Sequence, residues 1–244
     1  MRREGPALFF ALAYPTLLAW FYFLLLAEGG GKVNPVQQSA YAIGKGIQFA
    51  LPLLFLWWCD GRLPRPGRPR FDWLPTAVGF SLLVLAGMFA LYFGVLRGTR
   101  VFANTPRQVA AKLREFNLTT VPAYVGLSAF IAVLHSFLEE YYWRWFLFGR
   151  LRKHLSFTLA AVLSSLAFMS HHVIVLYVYL PGHFWTAVVP LSLCIAVGGF
   201  FWAWLYEHTR TIYAAWLSHL LIDAGVLVIG YDLLRGSFFA GSGV

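Results

Sequence analysis

The sequence predicts an all-α fold, a polytopic transmembrane helix bundle of about seven spans plus one interfacial amphipathic helix. Three observations predict it. Of 244 residues, 59% are hydrophobic, 18% aromatic and only 12% charged, whereas an ordinary soluble domain carries about 25% charge. Apolar runs recur along the whole length, each long enough to cross a hydrocarbon core of roughly 30 Å, which takes about 20 helical residues. The Lys and Arg residues behind the formal charge of +9 sit in short segments between those runs. That is the pattern of membrane topology, not of a basic groove, so nucleic acid is not an expected partner. Residues 1–244 read as a single integral membrane domain.

The first span, about residues 6–27, follows Arg2 and Arg3. It is longer than a signal-peptide core and lacks a small-x-small cleavage site, so it reads as a retained helix. The second covers about 39–59 and is followed by Asp60 to Arg70, where Pro64, Pro66 and Pro69 stop helix and Arg62, Arg65, Arg68 and Arg70 favour the cytoplasmic side. The third covers about 73–96. After it, Thr105-Pro106 has the form of a helix start, and Val109, Leu113 and Phe116 share a face opposite Arg107 and Arg114. This segment reads as a helix lying on lipid headgroups, with a solvated amphipathic connector as the plainer alternative.

The fourth span covers about 122–147, and Arg150, Arg152 and Lys153 behind it fall on the cytoplasmic side. The fifth, sixth and seventh cover about 156–177, 187–206 and 211–234. The protein is therefore expected to be a multi-pass plasma (inner) membrane protein with a cytoplasmic amino terminus. One segment disagrees with this count: residues 97–120 carry Arg97, Arg100, Arg107, Lys112 and Arg114, yet fall outside. Cys59 and Cys194 show no metal-type or CxxC spacing and say nothing about redox compartment.

An ionisable side chain at membrane depth costs at least about 2.5 kcal/mol on insertion scales, so each needs a partner or a job. The acids well inside spans are Glu139 and Glu140 in the fourth and Asp223 in the seventh. Consecutive helix positions diverge by about 100°, so the two glutamates must have different surroundings. Glu140 stands four residues before Arg144, the favourable order for an intrahelical ion pair, which leaves Glu139 free for chemistry. Phe168 and His172 share a face of the fifth span, and His219 and Asp223 are likewise four apart in the seventh. A carboxylate with a neutral imidazole can deprotonate water, and a second imidazole can donate to a developing oxyanion. His135 and His171 default to hydrogen-bonding a neighbouring helix, and His154, His183 and His208 lie at span edges or in loops. A structural ion pair is as good a reading of Glu140 and Arg144 as direct participation.

Taken in order, Glu139-Glu140-x-x-x-Arg144, Phe168-x-x-x-His172 and His219-x-x-x-Asp223 resemble the three signature motifs of the CAAX protease and bacteriocin-processing family, the CPBP or Abi proteins, which are glutamic-type intramembrane proteases related to type II CAAX prenyl endopeptidases. The resemblance covers about residues 105–235. It implies an intramembrane endopeptidase acting on a membrane-associated protein or peptide within the lipid bilayer. Glu139 would be the base that activates water together with His172, Glu140 and Arg144 would support it, and His219 would help form the oxyanion site. The family commonly has Asn where this chain has Asp223, which leaves Asp223 either orienting His219 or protonated. The resemblance implies catalysis with no cofactor. Zinc held by Glu139, His172 and His219 is the alternative. Two rival functions remain at this level: a proton-coupled membrane transporter, which uses the same residue types as a relay, and a non-catalytic membrane immunity or scaffold protein.

Overall fold

A computed structural model describes residues 4–26, 35–61, 70 and 72–239. Arg2, Arg3, Arg62, Arg65 and Arg68, on which part of the topology reading rests, lie outside the described residues. Seven helices are long and apolar enough to cross a membrane: α1 (Glu4–Leu25), α2 (Pro35–Asp60), α3 (Leu74–Leu96), α5 (Val121–Leu151), α6 (Phe157–Tyr179), α7 (Phe184–Thr209) and α8 (Tyr213–Gly236). Between the third and fourth of them lies the short helix α4 (Thr105–Glu115). Among the described residues there is no strand. All seven spans read from the sequence are present, each within a few residues of its expected limits. They are apolar around most of their circumference, and many large side chains, Phe9, Leu83 and Val197 among them, stay exposed. A bundle in water would bury such residues, whereas one in lipid gains nothing by doing so.

Polar contacts close the bundle at its two ends. At one, His154 meets Glu4 at 3.0 Å, Arg150 meets Asp60 at 2.8 Å and Arg152 meets Glu207 at 2.8 Å. At the other, Arg97 pairs with Asp232 at 2.9 Å and the Gln38 amide donates to the Glu115 carbonyl at 2.9 Å. The helices thus alternate in direction, as seven successive crossings require.

Helix α4 begins at Thr105, as the Thr-Pro pair predicts, and ends before Asn117, whose φ of 57° is the left-handed conformation that terminates helices. Its apolar face is not the expected one in full. Val109, Ala110 and Leu113 pack against Tyr124, Leu127 and Leu234, while Phe116 lies past the last helical residue and is exposed. The Thr105 hydroxyl also donates to the Tyr179 carbonyl at 2.7 Å. The face predicted to lie on lipid therefore covers α5 and α8, and Arg107 and Arg114 point outward.

Close approach depends on small residues. Ser81 of α3 and Ser218 of α8 are fully buried and share a hydrogen bond of 2.9 Å, and further along the same helix Gly225 lies against α3. A methyl group on Gly225 would come within 2.2 Å of Leu85 Cδ2 and 2.7 Å of Met88 Cε, whereas one on Gly79 would meet nothing within 4 Å. Gly225→Ala should therefore lower stability by about 1–3 kcal/mol through overpacking. Gly79→Ala should be neutral or stabilising by up to about 1 kcal/mol. Thermal unfolding in detergent checks both, and equal midpoints would contradict the tight α3–α8 seam.

Candidate active site

The fourth membrane span is wound unevenly where the two glutamates stand. Residues Ser136–Glu140 form regular α-helix, but Phe130–His135 before them and Tyr141–Phe148 after them widen into π-type turns. Such widenings concentrate at functional sites because they re-aim side chains without breaking the helix. Here Glu139 and Glu140 are both buried, at 2% and 0% exposure, with separate sets of neighbours.

Glu140 is the framed carboxylate. Its Oε1 lies 3.2 Å from Arg144 Nη1 and accepts a hydrogen bond of 2.8 Å from His219 Nδ1. Arg144 is itself buried, sandwiched over the Phe168 ring at 4.7 Å and the Trp202 ring at 4.9 Å, and its Nη2 donates to the Gly199 carbonyl at 3.3 Å. Gly199 has no side chain for a reason, since a methyl there would press on Arg144 Nη2 at 3.3 Å and on Ser165 Oγ at 3.2 Å. The His219 ring stacks on Trp202 at 4.1 Å. Trp202 in turn donates from Nε1 to Ser218 Oγ at 3.0 Å. Helices α5, α6, α7 and α8 are thereby tied to one ion pair.

Glu139 faces imidazoles. Its Oε1 lies 3.5 Å from His171 Nε2, and its Oε2 lies 3.8 Å from His135 Nδ1 and 3.7 Å from His219 Nε2. These separations exceed direct hydrogen bonds. His172 Nδ1 donates to the Phe168 carbonyl at 3.0 Å, which leaves Nε2 as the ring nitrogen with an available lone pair. Asp223 Oδ1 lies 3.6 Å from His219 Nε2, and its side chain is 23% exposed.

The structure thus brings Glu139, Glu140, Arg144, Phe168, His172, His219 and Asp223 into one cluster. It also adds two residues whose sequence context suggested only a structural part, His135 and His171. Each lies within a helical turn of a recognised motif residue, His135 four before Glu139 and His171 beside His172, and that spacing was the available signal. For the zinc alternative, the trio whose ligating atoms all lie within 4.8 Å of one another is Glu139, His171 and His172, while His219 binds Glu140 by Nδ1 and keeps Nε2 3.7 Å from Glu139 Oε2. A glutamate and two imidazoles are a donor set that zinc accepts.

Seven apolar crossings around a buried carboxylate–imidazole cluster define a multi-pass membrane protein with a polar cluster sunk between α5, α6 and α8. Residues 121–225 match the family model described as type II CAAX prenyl endopeptidase Rce1-like, and that stretch contains every motif residue. The CAAX protease resemblance read from the three motifs is therefore borne out. No curated protein and no solved structure matches the chain.

The two glutamates should separate experimentally. Glu140→Gln leaves Arg144 and His219 facing a neutral amide in a low-dielectric site and should cost about 3 kcal/mol of stability. Glu139→Gln, whose contacts are longer than hydrogen bonds, should leave the unfolding midpoint in detergent within about 1 kcal/mol of the parent. Equal losses would overturn the division of roles.

Proposed function

We propose that the protein is an intramembrane endopeptidase that hydrolyses a peptide bond of a membrane-associated substrate with water activated by Glu139. The observation that carries this reading is the contrast between the two carboxylates. Glu140 is consumed by an arginine and a histidine, whereas Glu139 is buried among three imidazoles with no hydrogen bond short enough to tie it down. The match of residues 121–225 to a prenyl endopeptidase family model supports it over the transporter and scaffold readings.

In the proposed reaction Glu139, with His172 Nε2 beside it, removes a proton from water. The resulting hydroxide attacks the carbonyl carbon and pushes the π electrons onto oxygen. His219, protonated at both ring nitrogens, donates from Nδ1 to Glu140 and from Nε2 to that oxyanion. The tetrahedral carbon then expels the amine, which takes the proton held by Glu139. Glu140 and Arg144 act by orienting His219, and donors fixed in advance cost no reorganisation at the moment of reaction. Asp223, beside the same Nε2, steadies the ring on its open side. If zinc were held by Glu139, His171 and His172, it would supply a more acidic water. The metal-free reading is favoured here because the family resemblance implies it. The amino terminus is placed in the cytoplasm of the plasma (inner) membrane, on the side of Arg150, Arg152 and Lys153.

Two outcomes test the chemistry. Glu139→Gln should lower the rate of cleavage of a fluorogenic membrane-associated peptide by about 10²–10⁴, and the parent should keep its rate after exhaustive chelation. Loss on chelation with recovery on adding zinc would assign Glu139 the role of a ligand. A separate measurement concerns Asp223. Asp223→Asn should keep most of the activity, since an amide of the same shape fills the place beside His219 Nε2, and Asp223→Ala, which removes that neighbour, should lose at least about tenfold. An Asn variant as inactive as the Ala variant would give the carboxylate itself a chemical step.

A further inference from the structure

Helix α4 lies across one end of the bundle, and its contacts fix the level at which it sits. The Thr105 hydroxyl at its start donates to the carbonyl of Tyr179, the last residue of α6. The Glu115 carbonyl at its other end accepts from Gln38 in the first turn of α2. Between them Lys112 stands over the Tyr22 ring, near the end of α1, at 4.7 Å. Val101 and Phe102, in the link before α4, pack with Leu180 and Val188 where α6 gives way to α7, and there Phe184 and Trp185 stay exposed. Each of these partners stands at the end of a span, and exposed aromatic rings at span ends mark the level of lipid headgroups. Helix α4 is therefore at the membrane surface with its apolar side turned inward onto α5 and α8.

What remains at that level is positive charge. Arg97 is paired with Asp232 at 2.9 Å and Lys112 with Glu115 at 2.7 Å. Asp232 also accepts from the Tyr92 hydroxyl at 2.9 Å and lies 3.5 Å from Arg235, so both carboxylates are engaged. Arg100, Arg107 and Arg114 are exposed, and among the described residues no carboxylate lies within ion-pair distance of any of them. Arg107 and Arg114 are seven residues apart, which puts them on one face about 10 Å from each other along the helix. Arg100 lines a cavity of about 300 Å³ between the link and Leu233 of α8, with Thr99, Phe102 and Pro106 among its other walls. A largely apolar cavity with one guanidinium at its edge suits the junction between an acyl chain and a phosphate.

A helix at a membrane surface is held by inserting apolar side chains, by attraction to anionic lipids, or by both. Here the apolar side covers protein, which leaves the second. Guanidinium groups present parallel N–H donors that match phosphate oxygens in pairs. We propose that α4 and the link before it form a binding surface for anionic phospholipids, with Arg107 and Arg114 holding headgroup phosphates on the outward face and Arg100 holding one at the cavity. Zwitterionic lipids fit the same place but lack the net charge that three unanswered cations select. Lipid selection of this kind does not depend on what Glu139 does.

The test uses delipidated full-length protein in a neutral detergent. It is titrated with phosphatidylglycerol and with phosphatidylcholine of the same acyl chains, and bound lipid is counted by native mass spectrometry. The parent should bind phosphatidylglycerol at least about tenfold more tightly than phosphatidylcholine. Combining Arg100→Gln, Arg107→Gln and Arg114→Gln should bring the two lipids within about twofold of each other, whereas lysine at all three positions should keep most of the preference. Lys153→Gln, exposed at the opposite end of the bundle, should leave it unchanged. Equal binding of the two lipids by the parent would overturn the assignment without use of any variant. A preference that survives the triple glutamine variant, or that is lost as fully in Lys153→Gln, would place the lipid site elsewhere and overturn it too. Displacement of phosphatidylglycerol by an equal concentration of glycerol phosphate would show a site for soluble phosphates and overturn the membrane assignment.

Discussion

Placing a guanidinium in the interior of a membrane bundle creates a demand that only an equally buried anion can meet, and the pairing of Arg144 with Glu140 meets it at 3.2 Å. Because removal of charges from water costs several kcal/mol per ion, such a pair persists only with good geometry and further hydrogen bonds. Each of the surrounding helices supplies part of that. The Gly199 carbonyl comes from α7, the Phe168 face from α6 and the Nδ1 proton of His219 from α8. The ion pair does little to drive folding by itself, yet it fixes the register of four helices relative to one another. Apolar helices in lipid lack a strong preference for one rotation over another, and the unmet charge of a misrotated helix provides it.

The same frame explains how adjacent glutamates acquire different roles. A regular helix already turns neighbouring side chains about 100° apart. The π-type turns on either side of Ser136–Glu140 adjust that further, letting Glu139 face His135, His171 and His219 while Glu140 faces Arg144. His219 belongs to both sets, with Nδ1 on Glu140 and Nε2 3.7 Å from Glu139. The orientation of an imidazole beside Glu139 is thus set by its hydrogen bond to the neighbouring Glu140. Structure and proposed chemistry share this one ring.

How much of this was legible in the sequence is set by the range of the physics involved. The seven spans were legible because bilayer thickness imposes a length and an apolarity on each segment separately. The Glu140–Arg144 pair was legible because it lies within one helix at a four-residue spacing. Contacts between helices were not, since a mostly apolar helix gives no sign of which face meets which neighbour. That is why His135 and His171 read as ordinary histidines, why His171 and not His219 completes the trio with Glu139 and His172, and why the apolar face of the short helix Thr105–Glu115 turned out to cover protein. The family match covers residues 121–225 of this picture.

Every ion held at membrane depth needs a counter-charge, and Lys45 stands in α2 near the Glu139 cluster. This lysine stands on α2, outside the matched stretch, so the motifs that define the reactive centre say nothing about it. Electrostatics brings it back to that centre. The cluster it faces holds the carboxylates of Glu139, Glu140 and Asp223, of which Glu140 is paired with Arg144 and Asp223 sits by His219. In the proposed reaction a cation held near Glu139 but not bonded to it would steady the negative charge that this carboxylate needs before water is deprotonated.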